Sequence, residues 1–195
     1  QSGVIANGNE LEHLIYENCK LSKFHNVIST EHSFEKSNYL ISQYKIPKGL
    51  CGNRGINIDF VLVDENKILV LEMKDGDSFD TKKSSGEINK GFKAVKYVRE
   101  NNPGKDVQYK MVLWNNVDLS KSSVKDPRAK QLLMTGKEFA KLARVSTSAI
   151  NSKRKEEQPI NAKYIYDKIV ELLKRRLTAS GVCPTCERRL HEAIF

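Results

Sequence analysis

Asp59, Glu72 and Lys74 are the residues of this 195-residue chain whose types and spacing could do chemistry. Two apolar, β-branched runs at 58–63 and 68–74, around Asp64-Glu65-Asn66-Lys67, predict a hairpin with a four-residue loop. Setting Val63 opposite Ile68 places Asp59 across from Glu72, and strand alternation puts Glu72 and Lys74 on one face while Met73 points away. Both runs are apolar on both faces, the pattern of central, covered strands, where an unpaired carboxylate costs several kcal/mol. Two facing carboxylates must therefore share a proton, a cation or a metal. Oxygen ligation by Asp59, Glu72 and the Met73 carbonyl suits Mg²⁺, which keeps several waters and contacts phosphate. Lys74 could orient or deprotonate one such water, or neutralise charge building on the phosphate. The plainer alternative is a charge cluster that pins the hairpin at a wet sheet end.

The elements that must position these groups are readable in part. Asn9 can cap a helix with Leu11, Leu14, Ile15 and Cys19 on its apolar face. A strand is expected over 27–34, followed by a Pro47-Lys48-Gly49 break. Ser84-x-x-Glu87 has the form of a capping box opening a helix with Ile88, Phe92 and Val95 on its inner side, stopped by Asn102-Pro103-Gly104. A strand follows at 107–114, and the crossover helix makes it parallel to its predecessor. The fold class is thus α/β, a mixed sheet flanked by helices.

With Asp59, a twelve-residue gap and then Glu72-Met73-Lys74 on a hairpin followed by helix and strand, the chain resembles the PD-(D/E)XK nuclease superfamily, the restriction-endonuclease-like fold. It departs from that name in having Ile58 before the aspartate. Gly8-x-x-Leu11-Glu12 is similar to the family's first-helix pattern, which implies that Glu12, with Glu10 as its rival, joins the metal or water network. The resemblance covers roughly residues 8–115. Gly52-Asn53-Arg54-Gly55, just ahead of the acidic strand, offers amides and a guanidinium suited to a phosphate, or is an ordinary glycine turn. The stretch 75–83, ending in Lys82 and Lys83, resembles segments that follow the catalytic lysine in some type II restriction enzymes.

The net charge of +9 is unevenly distributed: residues 1–120 hold 16 basic and 16 acidic side chains, residues 121–195 hold 17 and 8. A basic half beside a neutral one is the footprint of a polyanion partner. Lys153-Arg154-Lys155 and Lys174-Arg175-Arg176 lie on predicted helices able to reach phosphates, although a solvated basic face explains each run equally well. These helices open at Thr135-x-x-Glu138, at Ser146 and at Asn161, the last with Ile165, Ile169 and Leu172 as its packed face, after a short strand at 132–134. Ala140, Val145, Ser146 and Ile150 fit a helix-turn-helix, but Arg144 stands at the turn glycine position; two helices packed on the core are the competing reading. Cys183-Pro184-Thr185-Cys186 is half of a zinc knuckle, with His191 and Cys51 or Cys19 as further ligands, or else a pair of free thiols.

No apolar run approaches the roughly 18 residues a membrane helix requires, and four cysteines are too few for a secreted disulfide framework. A cytoplasmic protein with no membrane partner is expected. Residues 1–3 read as a tag remnant, 4–120 as the nuclease core, 121–180 as a basic, mainly helical DNA-binding extension and 181–195 as the Cys-x-x-Cys tail. Taken with the resemblance, this implies an Mg²⁺-dependent endonuclease acting on double-stranded DNA as a homodimer, sequence-specific and type II restriction endonuclease-like, with a possible structural Zn²⁺. A structure-specific nuclease such as a Holliday-junction resolvase, and a non-catalytic helix-turn-helix protein, are the alternatives.

Overall fold

The computed structural model describes residues 3–34, 38–75, 81–121 and 127–179, which fall into a unit spanning 4–150 and a second one from 151 onwards. The first unit is built on a six-stranded sheet in chain order: β1 (Ser22–His25), β2 (Tyr39–Ile46), β3 (Ile56–Val63), β4 (Lys67–Lys74), β5 (Asp106–Leu113) and β6 (Leu133–Thr135). Strands β2, β3 and β4 are antiparallel neighbours, whereas β1 runs parallel to β2, and β5 and β6 continue parallel to β4. The mixed α/β sheet is the expected one.

Helices cover both faces. Helix α1 (Gly3–Asn18) and the short α4 (Gly136–Leu142) pack on one side, where Leu11, Leu14 and Ile15 meet Phe60, Leu69, Leu71 and Phe139. Helix α2 (Thr81–Glu100) and α3 (Pro127–Leu132) pack on the other, where Ile88, Val95 and Val98 meet Val61, Val70, Val107 and Met111. The two-sided apolar pattern of β3 and β4 follows directly, since each face of these strands meets its own helix layer. Residues beyond 120 contribute to this body: β6 extends the sheet and α4 buries Phe139 and Ala140.

Local expectations fare unevenly. The predicted inner face of the first helix is buried, but the helix begins at Gly3, so Asn9 lies inside it and is no cap. Strand pairing near the front is at 22–25. Asn26 then turns left-handed with φ 56°, and of the expected strand at 27–34 only a single bridge, Ile28 with Lys45, remains. The β3–β4 loop is tighter than expected: Asp64 N–H donates to Lys67 O at 2.8 Å, leaving Glu65 and Asn66 as the turn. Helix α2 begins at Thr81, so Ser84 lies within it and its capping role with Glu87 is lost. Phe92 is 44% exposed because the inward stripe runs through Gly91, under which the Tyr109 ring lies so closely that a Cβ would stand 2.4 Å from it.

The Thr135 capping box is present, with Glu138 N–H donating to Thr135 Oγ1 and the Glu138 carboxylate accepting from Thr135 N–H. Ser146 Oγ accepts from Ala149 N–H and so caps α5 (Thr147–Ala179), as expected. Instead of a new helix at Asn161, α5 runs on through Pro159, which leaves it one backbone bond short. Ile165, Ile169 and Leu172, expected as its packed face, are exposed. Among the described residues no helix is long and apolar enough to cross a membrane.

Candidate active site

The β3–β4 ladder ends at Phe60 opposite Leu71, one residue short of Asp59 and Glu72. Beyond that point β4 stays paired with β5 through Lys74, while β3 and β4 part. Asp59 fills the gap: its Oδ2 accepts the Met73 N–H at 2.7 Å. Because the N–H and C=O of one strand residue share an edge, the Met73 carbonyl also faces the Asp59 side. The splayed strand end thus brings a backbone edge no longer paired with β3 and two carboxylates to one place.

Alternation of β4 directs Glu72 and Lys74 toward α2, together with Ile68 and Val70. Glu72 is only 8% exposed, and two ammonium groups engage it: Lys74 Nζ at 3.2 Å and Lys90 Nζ, from α2, at 3.4 Å. Lys74 also meets Glu87 of α2 at 2.8 Å. Burial opposes the Lys74 charge, but the hydrogen bond to Glu87 and the charge of Glu72 outweigh it, so its pKa stands above the ordinary lysine value. The Asp59 carboxyl is pushed up to about 7, by burial first and then by the negative charges of Glu72 and Glu12. Asn115 of the turn after β5 holds the Asp75 carbonyl with its amide, tying down the chain just past Lys74.

Glu12 approaches from α1. Its carboxylate accepts from Gln43 Nε2 at 2.6 Å, and its pKa is raised by burial against that hydrogen bond, within the fields of Glu72, Lys74 and Lys90. Of the two glutamates named for the first helix, Glu12 is the one brought to this cluster. The sequence reading missed Gln43, Glu87 and Lys90. Glu87 was absorbed into a capping box, and only the i,i+3 spacing of Glu87 and Lys90 beside Ile88 hinted that both flank the buried stripe of α2.

Among the described residues no three His, Cys, Asp or Glu side chains stand close enough to form a ready metal cage. Lysine ammoniums take up the Glu72 oxygens instead, as the charge balance of a buried carboxylate requires. The donor set still fits a hard divalent cation, since Asp59 is pressed toward protonation by burial and then by the charges of Glu72 and Glu12, which a cation would offset, and the parted strand edge supplies oxygen ligands.

Beside this cluster, Cys51, Asn53, Arg54, Asn89, Lys90 and Lys93 line a cleft of about 590 Å³. Arg54 therefore shares a basic concavity with Lys90, which reaches Glu72. Lys82 and Lys83 fall in the first turn of α2, where the backbone alone is described. Lys153, Arg154 and Lys155, and Lys174, Arg175 and Arg176, lie on α5 in the second unit. Arg175 is paired with Glu171 at 2.6 Å. Arg144 takes φ 52° in the α4–α5 turn, the conformation a helix-turn-helix glycine would supply, while Ala140, Ala143 and Ile150 are buried in the sheet core.

Cys183, Cys186 and His191 lie outside the described residues. Cys19 is buried, and its thiol donates to Ala143 O at 3.1 Å. Cys51 is half-buried and donates weakly to Lys93 O at 3.7 Å.

Searched against protein-family models, the chain matches none. Among curated proteins, the type II restriction enzyme HhaII of Haemophilus parahaemolyticus is 30% identical over 186 residues, which cover 89% of this chain and 80% of that enzyme. The aligned span exceeds the sheet and its site and reaches into the basic C-terminal part, because 89% of the chain is more than residues 4–150 hold.

Proposed function

The chain belongs to the family of type II restriction enzymes that includes HhaII, and on that footing we propose that it is an Mg²⁺-dependent endonuclease hydrolysing phosphodiester bonds of double-stranded DNA at a specific sequence. The observation that carries the proposal is the parted β3–β4 end, where Asp59, Glu72 and Lys74 converge with Glu12 and a basic cleft. Asp59, Glu72 and the Met73 carbonyl would hold the cation, which supplies Lewis-acid charge for the phosphate and acidifies a water.

This chain's own groups do the rest. Lys74, kept as an ammonium by Glu87 and Glu72, is suited to orienting the attacking water and neutralising charge on the phosphate rather than to removing a proton. With Glu72 serving a cation, Lys90 would be released from it to face the cleft, where Arg54 and Lys93 could hold flanking phosphates. The water oxygen bonds to phosphorus as the P–O bond to the leaving sugar oxygen breaks, and the proton lost by the water balances the one the leaving oxygen gains. The basic runs of α5 would add sequence-independent attraction to the duplex. A homodimer, one site per strand, is the assembly that suits a duplex cut.

Incubation of purified protein with plasmid in Mg²⁺ and then in EDTA tests the reading. Cleavage in Mg²⁺ alone is expected. Intact plasmid under both conditions, with retained DNA binding, would favour a non-catalytic binding protein. Structural zinc at Cys183 and Cys186, with His191, is proposed separately, and about one zinc per chain by elemental analysis is the expected result.

A further inference from the structure

Gln43 departs from strand geometry in two ways. Its φ is 59°, the left-handed region that disfavours any residue carrying a Cβ. The strand also changes face there. Tyr39 and Ile41 belong to the α2-side core and Leu40 to the α1 side, yet Tyr44 and Ile46 again lie on the α2 side. Strict alternation after Ile41 would send Tyr44 the other way. Strand β3 makes the matching reversal, with Ile58 on the α2 side and Phe60 and Leu62 on the α1 side. Gln43 stands at the register position across from Asp59, between the pairs Ser42 with Phe60 and Tyr44 with Ile58.

The consequence is local. Consecutive residues Ser42 and Gln43 both border a cavity of about 250 Å³ shared with Glu12, His13 and His25. There the Gln43 amide donates 2.6 Å to Glu12. A glycine would make the same backbone bend without strain. What glycine could not supply is the amide.

We propose that Gln43 is a positioning residue of the candidate active site: the strained bend is kept because it turns the amide onto Glu12 and fixes that carboxylate beside Asp59 and Glu72. The proposal rests on the reading that these carboxylates serve a divalent cation. Asp59 feels the charge of Glu12, and Glu12 that of Glu72, so the orientation of Glu12 enters the charge balance that a cation meets.

The test uses the full chain and Mn²⁺ alone, followed by paramagnetic resonance, together with metal-free melting and steady-state cleavage. Gln43→Gly should melt at the wild-type temperature or above it, yet bind Mn²⁺ roughly tenfold more weakly, the usual cost of losing an outer partner. Its kcat should fall with KM for DNA unchanged. Gln43→Asn, tolerated in the left-handed region but one methylene too short, should show the same loss. In a Glu12→Ala background, Gln43→Gly should change nothing further. Wild-type Mn²⁺ binding by Gln43→Gly, a loss that persists without Glu12, or a lower melting temperature overturns the proposal. A wild-type chain that binds Mn²⁺ but leaves DNA intact removes the nuclease reading and leaves Gln43 its role, whereas a wild-type chain that binds no Mn²⁺ removes both.

Discussion

Lys74 Nζ lies 2.8 Å from Glu87 Oε1, closer than its 3.2 Å contact to Glu72 on its own strand. A helix residue thus sets the direction of the candidate catalytic lysine. Glu87→Ala should lower kcat about tenfold to a hundredfold, the range seen when an outer-shell partner is removed. Mn²⁺ affinity should stay near wild type, because Glu72 and Asp59 are untouched. Unaltered turnover in a single-turnover assay would show that Lys74 needs no such support.

Glu72→Ala should abolish plasmid cleavage and leave DNA affinity essentially unchanged, since it removes an oxygen ligand and no phosphate-binding cation. Lys74→Ala should lose cleavage while still binding Mn²⁺. Continued nicking by Glu72→Ala would remove that residue from the reaction.

Asp59 gives the pH dependence a definite sign. Its folded pKa of about 7 stands above the ordinary 3.8, so between these values the folded chain holds more protons than the unfolded one. Its contribution to metal-free stability is therefore full below 3.8 and lost progressively as pH rises to about 7, then constant. Asp59→Asn should melt higher than wild type at pH 8, with the gap closing at pH values of about 4. Cation affinity should move oppositely, climbing as Asp59 ionises and levelling above neutrality. Parallel melting curves for the two proteins across the whole range would contradict the assignment.

Replacing Lys153, Arg154 and Lys155 together should weaken DNA binding and flatten its salt dependence, since each phosphate contact on duplex DNA contributes about 0.9 to the slope of log affinity against log salt. Residues 121–180 carry 15 basic and 6 acidic side chains, enough to account for the whole net charge. A slope equal to wild type, measured by anisotropy titration, would leave the run merely solvated.

Gly136→Ala should destabilise the fold, because a Cβ there would meet the Trp114 carbonyl oxygen at 2.3 Å and its Cα at 2.8 Å. Backbone cannot yield as a side chain can, so a loss of about 1–3 kcal/mol is expected. Gly86→Ala, with nothing within 4 Å of its Cβ, should instead gain about 0.5–1 kcal/mol from its helical position. Denaturant melts of both variants decide the comparison.

The sequence by itself determined the hairpin, its pairing from Val63 with Ile68 to Phe60 with Leu71, and the shared face of Glu72 and Lys74, because strand alternation and two-sided apolar patterning are local properties. It also determined the Thr135 capping box and the Ser146 cap, in which side chain and backbone partners lie within three residues of each other. Tertiary structure alone decided what surrounds the carboxylates. Glu87 and Lys90 reach them only because α2 crosses back over β4, and Glu12 only because α1 packs on the opposite face. The left-handed bend at Gln43 left no glycine to announce it, and its reason lies across space in Glu12. The same holds for the reach of the sheet past residue 120: the short strand expected at 132–134 forms at Leu133–Thr135, but its partner, β5, lies some twenty residues earlier in the chain, with Met111 opposite Leu133, and no local pattern declares that pairing. Periodicity fixes which face a residue takes, whereas the neighbour that face meets depends on how distant segments pack.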